Sequence, residues 1–157
     1  NNKEIIMIKV KKIYALVFII FASSYSFASD THIVKMLNNG NDGAMVFEPA
    51  FIKIKSGDSI TFEMEDQGHN AVTILGPKGS KPFDTEFAKS TTIKFEKTGL
   101  YLYQCTPHAI MAMAGIIQVG DANNKDEMKL AIEKFEGTVM VPNVKKRMSD
   151  LFENNVK

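Results

Sequence analysis

The sequence predicts a mostly β fold, a Greek-key β-sandwich followed by two C-terminal α-helices, and three observations predict it. Between Thr31 and Gly120, short runs alternate apolar with polar residues, the period of strands with one buried face. Gly, Pro, Asn and Asp punctuate those runs, and no helical period develops over the same stretch. Beyond Gly120 the period becomes that of amphipathic helices. A chain of 157 residues, 45% hydrophobic and 24% charged, is sized for one such domain.

In the first strand Ile33, Lys35 and Leu37 alternate with Val34, Met36 and Asn38, and the turn-forming residues 39–43 close it. Residues 44–47 are a short apolar strand stopped by Glu48-Pro49. Residues 52–55 and 60–65 alternate on either side of Ser56-Gly57-Asp58 and are expected to pair as a hairpin with one face buried. Residues 66–68 break the pattern and residues 71–75 resume it, which puts His69 where a loop enters a strand. Residues 76–85 form the longest irregular segment, the kind of loop that carries function on a rigid scaffold. Residues 91–95 and 100–103 are two further strands, so Cys105 lies at a strand end. The last strand, residues 115–120, has Ile117 and Val119 on one face. Met128, Leu130, Ala131, Ile132 and Phe135 then fall at helical spacing, as do Val144, Met148, Leu151 and Phe152, with Gly137 and Pro142 as breakers between. A sandwich of about residues 31–120 carrying helices within about 124–155 gives a single domain, residues 29–157.

Residues 1–28 have the layout of an export signal. Lys9, Lys11 and Lys12 precede an apolar run over residues 13–22, and small or polar residues follow at Ser23, Ser24, Ser26, Ala28 and Ser29. Cleavage is expected after Ala28, with Met7 as the start residue and residues 1–6 upstream of translation. The run falls short of the roughly 20 residues of a membrane-spanning helix. An exported, periplasmic protein without membrane insertion is the expectation. Removing Lys3, Lys9, Lys11, Lys12 and Glu4 from 19 basic and 18 acidic side chains leaves 15 against 17, a formal −2. That balance gives no ground for a nucleic acid or an anionic membrane as partner. The single cysteine cannot form an internal disulfide, and a lone thiol in an oxidising compartment is vulnerable unless something occupies it. Metal ligation would occupy it.

The residues with that chemistry cluster in 103–115, which contain Cys105, His108, Met111 and Met113. Thiolate, imidazole and thioether form a soft ligand set, and His69 can supply a second imidazole from upstream. Two imidazoles and a thiolate with a weak axial thioether make a copper electron-transfer site. Pro107 stiffens the short loop between Cys105 and His108. Zinc is an alternative for two His and one Cys, but methionine is a poor zinc ligand. A Cys–His nucleophile is another, though no Asn or Asp is evidently placed to orient His108. His32, near the new N-terminus, reads as unpaired and outside the site. Of Met111, Met113, Met128, Met140 and Met148, four read as core filler.

Several stretches resemble the cupredoxins and, within them, the pseudoazurins. They are Asn38 with residues 42–49, Gly57-Asp58, Gly68-His69-Asn70, Cys105-Thr106-Pro107-His108, Met111-Ala112-Met113 and Val119-Gly120-Asp121. The likeness extends over the whole mature chain, both C-terminal helices included. It implies a cupredoxin-like sandwich, one type 1 copper per chain and no enzymatic activity. It also implies a monomeric periplasmic carrier that passes single electrons between redox partner proteins, with copper nitrite reductase as acceptor. Carried over, the metal ligands are His69, Cys105 and His108 with Met113 axial, and Asn70 bonds to the ligand loop. His108 is then the partly exposed ligand, ringed by Met45, Pro107, Ala109 and Ile110. Where pseudoazurins carry lysines around that edge, this chain has Asn39, Asn41, Gln67 and Gln104. A copper storage or delivery module is the alternative function, and it would call for several exposed Met or His ligands.

Overall fold

The computed structural model describes residues 28–157. The expected export signal therefore lies, apart from Ala28, outside the described residues. Eight strands form two four-stranded sheets: β1 (Thr31–Gly40), β2 (Gly43–Glu48), β4 (Ser59–Met64) and β6 (Thr91–Lys94) in the order β2-β1-β4-β6, and β3 (Phe51–Ile54), β5 (Val72–Leu75), β7 (Gly99–Gln104) and β8 (Ala114–Val119) in the order β3-β8-β7-β5. From β2 to β7 the chain changes sheet at every connection.

That alternation corrects one expectation. The segments on either side of Ser56-Gly57-Asp58 do not form a hairpin, because β3 pairs in parallel with β8 while β4 pairs in parallel with β1 and antiparallel with β6. Period-two patterning marks which face is buried, and two strands on opposite sides of one core have the same pattern. The turn itself is held by Asp58, whose carboxylate accepts the Asp30 N–H at 3.0 Å and the Lys55 N–H at 2.9 Å. His32 joins it, with Nε2 3.3 Å from Asp58 Oδ2, so His32 is paired after all. The first turn is also tighter than expected: Asn39 and Gly40 belong to β1, which pairs with β2 as far as Gly40 opposite Gly43.

The space between the sheets is filled from both by Val34, Met36, Phe47, Ile60, Phe62, Phe83, Phe95, Tyr101, Tyr103, Ile117 and Val119. β7 and β8 are buried on their other face too, where Leu100, Leu102, Ala114 and Ile116 meet helices α1 (Lys125–Glu136) and α2 (Arg147–Asn155) through Met128, Ile132, Phe135, Met148 and Phe152. Residues 142–144 make a separate 3-10 turn, so α2 starts later than Val144. Asn124 does not cap α1 with its side chain; its amide instead accepts the Leu100 N–H at 2.7 Å and donates to the Leu100 carbonyl at 3.0 Å. The Glu136 carboxylate, buried at the end of α1, accepts the Ser149 N–H at 2.8 Å and its hydroxyl at 2.7 Å. A carboxylate against the first turn of α2 suits the positive end of that helix and fixes the angle between the two. No helix among the described residues is long and apolar enough to cross a membrane.

Candidate metal centre

Alternation along β7 delivers the first donor. Tyr101 and Tyr103 point into the inter-sheet core, and Cys105, one step beyond the strand, follows them and is fully buried. The Cys105 N–H donates to the Met113 carbonyl at 2.9 Å, which extends the β7–β8 ladder by one rung and closes residues 105–113 as a loop. Inside it the N–H groups of Met111 and Met113 both donate to the His108 carbonyl, at 3.0 and 3.2 Å, while the His108 N–H donates to the Cys105 carbonyl at 3.2 Å. Ala112 takes a left-handed conformation, φ 59°, to bring the chain back into β8.

His69 comes from the loop ahead of β5. Its carbonyl accepts the Ala88 N–H at 2.9 Å, and next to it the Ala71 carbonyl accepts the Thr85 N–H at 3.0 Å, so the irregular segment before β6 anchors the loop that presents it. The return bond runs from the Ala71 N–H to the Thr85 hydroxyl at 2.8 Å, and the imidazole is fully buried. Its Nε2–H donates to Asn38 Oδ1 at 3.1 Å, and Asn38 is in turn held by Asp66, which accepts the Asn38 N–H at 2.7 Å. This bond fixes the tautomer and leaves Nδ1 with a free lone pair facing the centre. Burial, with His108 adding to it, lowers the pKa of His69 and keeps the ring neutral. Asn70 spans to the ligand loop as expected, accepting the Thr106 N–H at 2.8 Å and donating to Thr106 Oγ1 at 3.1 Å.

The three donors converge. His69 Nδ1 and His108 Nδ1 lie 3.1 Å apart, and Cys105 Sγ lies 3.6 and 3.5 Å from them. In a triangle of those sides, the point equidistant from all corners is about 2.0 Å from each, close to the roughly 2.0–2.3 Å of metal–imidazole and metal–thiolate bonds. Two imidazole nitrogens and a sulfur at such range need a shared proton or a metal ion among them. Burial pushes the Cys105 thiol pKa up, while the backbone amides of Asn70 and His108 pull it down. The pocket is thus built to favour the thiolate once a positive charge enters. The residues fit a soft metal ion.

Met113 is fully buried in the same inter-sheet cluster as Cys105, whereas Met111 lies half-buried on the 3-10 turn of residues 109–111. That supports Met113 over Met111 beside the triangle. Met128 and Met148 are core residues, but Met140 is 75% exposed, so the reading of it as filler fails. Its N–H donates to the Ile110 carbonyl at 2.9 Å, placing it beside the ligand loop. Of the apolar residues expected around His108, Ile110 is 48% exposed, Pro107 is exposed, and Met45 and Ala109 are half-buried. His108 itself is half-buried. The resemblance includes Asn38 but gave it no role; a single Asn near the end of β1 carries no signal for one, and only the fold brings it to His69.

The family model described as copper binding proteins of the plastocyanin/azurin family matches residues 34–120. A putative pseudoazurin of Rhizobium leguminosarum bv. viciae is 44% identical over 115 residues, 71% of this chain and 76% of that protein. Over 136 residues, 85% of this chain and 88% of the relative, the pseudoazurin of Methylorubrum extorquens is 38% identical. The crystal structure of pseudoazurin from Methylobacterium extorquens AM1 superposes with a TM-score of 0.67 at 36% identity, covering 80% of this chain and 98% of that one.

Proposed function

The chain belongs to the plastocyanin/azurin family of copper-binding proteins as a copper electron carrier and not an enzyme, and we propose that it is a periplasmic shuttle whose copper is held by His69, Cys105, His108 and Met113. The observation that carries the ligand assignment is the convergence of three donor atoms of which two belong to fully buried residues. A type 1 copper supplies one-electron oxidation and reduction at that point. The protein holds the donors still: Asn38 orients His69, Asn70 and Thr106 brace the loop after Cys105, and the His108 N–H donates to the Cys105 carbonyl. Ligands that move little between oxidation states permit fast electron transfer. His108, the ligand nearest solvent, is the route in and out, and exposed Ile110 and Pro107 beside it offer a small apolar contact that releases quickly. Buried and braced ligands argue against the storage or delivery role, which needs labile ones.

The reading places residues 29–157 in one monomeric domain, exported by the segment that ends at Ala28, with copper nitrite reductase or a similar redox enzyme as acceptor. Visible absorption of the copper-loaded protein tests its core. An intense thiolate-to-copper band is expected, and Cys105→Ser abolishes it. A colourless wild-type protein that binds zinc stoichiometrically and rejects copper overturns the proposal. Stopped-flow reduction of the acceptor tests the docking surface, where Ile110→Glu slows the reaction more than Lys78→Gln or Lys81→Gln, which remove the two lysine charges of the irregular segment 76–85.

A further inference from the structure

We propose that Arg147, the first residue of α2, is a positioning residue of the metal centre: its guanidinium holds the backbone at Met45 and Ala112, and through Ala112 it sets the seat of Met113. The inference rests on the reading of Met113 as a ligand. Nη1 faces the carbonyls of Met45 at 3.3 Å, Ala112 at 3.4 Å and Ala44 at 3.5 Å, and Nη2 faces that of Asp42 at 3.3 Å. One side chain on the C-terminal helix thus grips the β1–β2 turn and the ligand loop together. Both Met45 (φ 51°) and Ala112 (φ 59°) are left-handed non-glycine residues, a conformation that persists only when the surroundings enforce it.

Ala112 directly precedes Met113, whose carbonyl closes the ligand loop on the Cys105 N–H. A rotation at Ala112 therefore moves Met113. Gly43 (φ +107°) passes under the guanidinium, where an added Cβ would lie 3.6 Å from Nη2.

The electrostatics show that Arg147 is not there for its own helix. It begins α2 behind Lys145 and Lys146, where the helix dipole disfavours positive charge. The side chain is half-buried, and none of the ion pairs among the described residues involves it; Asp42 offers only a weaker pull. Its partners are four carbonyl oxygens from two places in the chain, residues 42–45 and Ala112. A planar fork of N–H donors with no acceptor suits such a cluster, and the single-point ammonium of lysine does not.

Amide hydrogen exchange of the copper-free protein tests the grip directly. The Ala112 and Met113 N–H groups donate to Ala109 and His108 and are protected when the loop is closed. Arg147→Gln is expected to speed their exchange about tenfold, the ratio that losing a modest hydrogen bond yields. In the copper-loaded protein it is expected to change the relative intensities of the thiolate-to-copper bands and to shift the reduction potential. Arg147→Lys, which keeps the charge and supplies the measurement should the Gln variant not fold, is expected to show the same changes. Lys146→Gln, which removes a neighbouring charge, is expected to show none. Exchange at Ala112 and Met113 that merely follows a lowered melting temperature, with spectrum and potential as in the wild type, overturns the proposal. So does full restoration by Arg147→Lys. Met113→Leu is run alongside. If it leaves the spectrum unchanged, the ligand assignment fails, while exchange in the copper-free protein still decides whether Arg147 holds the loop.

Discussion

The two faces of the β7–β8 pair are buried in different materials. Toward the opposite sheet Tyr101 and Tyr103 join a chain of rings: Tyr103 lies 4.7 Å from Phe47 and 5.2 Å from Phe62, Phe62 lies 5.4 Å from Phe83, and Phe95 lies 5.6 Å from Phe83 and 5.2 Å from Tyr101. Most meet edge to face, a directional arrangement of side chains with few rotatable bonds. Toward the helices Leu100, Leu102 and Ile116 meet Met128, Ile132, Phe135, Met148 and Phe152, where among the described residues no ring pairs with another and the thioethers of Met128 and Met148 fill space without fixing it. Cys105 and Met113 belong to the aromatic side. The stiffer core is the one that carries the metal centre, and the softer one covers the sheet that would otherwise face water.

Truncation on each side is the strongest test of that division. Phe62→Ala is expected to cost about 3–5 kcal/mol and Met128→Ala about 2–5 kcal/mol, measured by denaturant unfolding. Only Phe62→Ala is expected to shift the thiolate-to-copper absorption of the loaded protein. An equal spectral shift from Met128→Ala would break the comparison.

A smaller effect sharpens it. The Tyr103 hydroxyl is buried without a hydrogen-bond partner, and burial drives its pKa well above the phenol range. Gly115 leaves room for it, since a Cβ there would strike the phenol oxygen and lie 2.8 Å from the Ala50 carbonyl. Gly115→Ala should therefore destabilise by about 1–3 kcal/mol through overpacking. Tyr103→Phe should stabilise by about 1 kcal/mol, the relief of an unsatisfied group. The double variant recovers part of the Gly115→Ala loss, because the carbonyl still crowds the new methyl.

The mildest effect lies at the end of the sandwich away from Cys105. Hydrogen bonds from the Lys55 and Asp30 amides, with His32 beside them, lower the pKa of Asp58. A depressed folded value contributes stability that is complete above the ordinary aspartate pKa of about 3.9 and is lost as pH falls through the folded value. Unfolding midpoints should drop below about pH 4 in the wild type and lose that part of the slope in Asp58→Asn, with the visible spectrum at neutral pH unchanged.

Much of this was legible in the residues. Short alternating or apolar runs between turn residues located the strands, the shift to a helical period located both helices, and the rarity of Cys and His led to the donor triangle. The partnering of strands was not legible, because alternation at β3 and β4 is the same whether they share a sheet or face each other. His32 and Asp58 looked unrelated for the same reason: β1 and β4 run in parallel, which brings the start of one beside the turn before the other. Arg147 was hidden by its neighbours, since a Lys-Lys-Arg run reads as a solvated helix start until the fold puts four carbonyls around one member. Met140 read as core filler and yet faces solvent, since it sits on the connection between the helices and not within either.

The ligand loop begins and ends on itself. Cys105 N–H meets the Met113 carbonyl, and three further backbone bonds among Cys105, His108, Met111 and Met113 are completed within the same nine residues. Its shape is thus largely a property of the segment, attached to the rest of the domain by one rung of the β7–β8 ladder, by the Asn70–Thr106 bracket, by Arg147 at Ala112 and by the Met140 N–H at the Ile110 carbonyl. In engineering terms it is a cassette with four fasteners. A replacement of different length that keeps the terminal rung leaves the strand register intact, and the spacing between thiolate, imidazole and thioether becomes adjustable without rebuilding the barrel beneath.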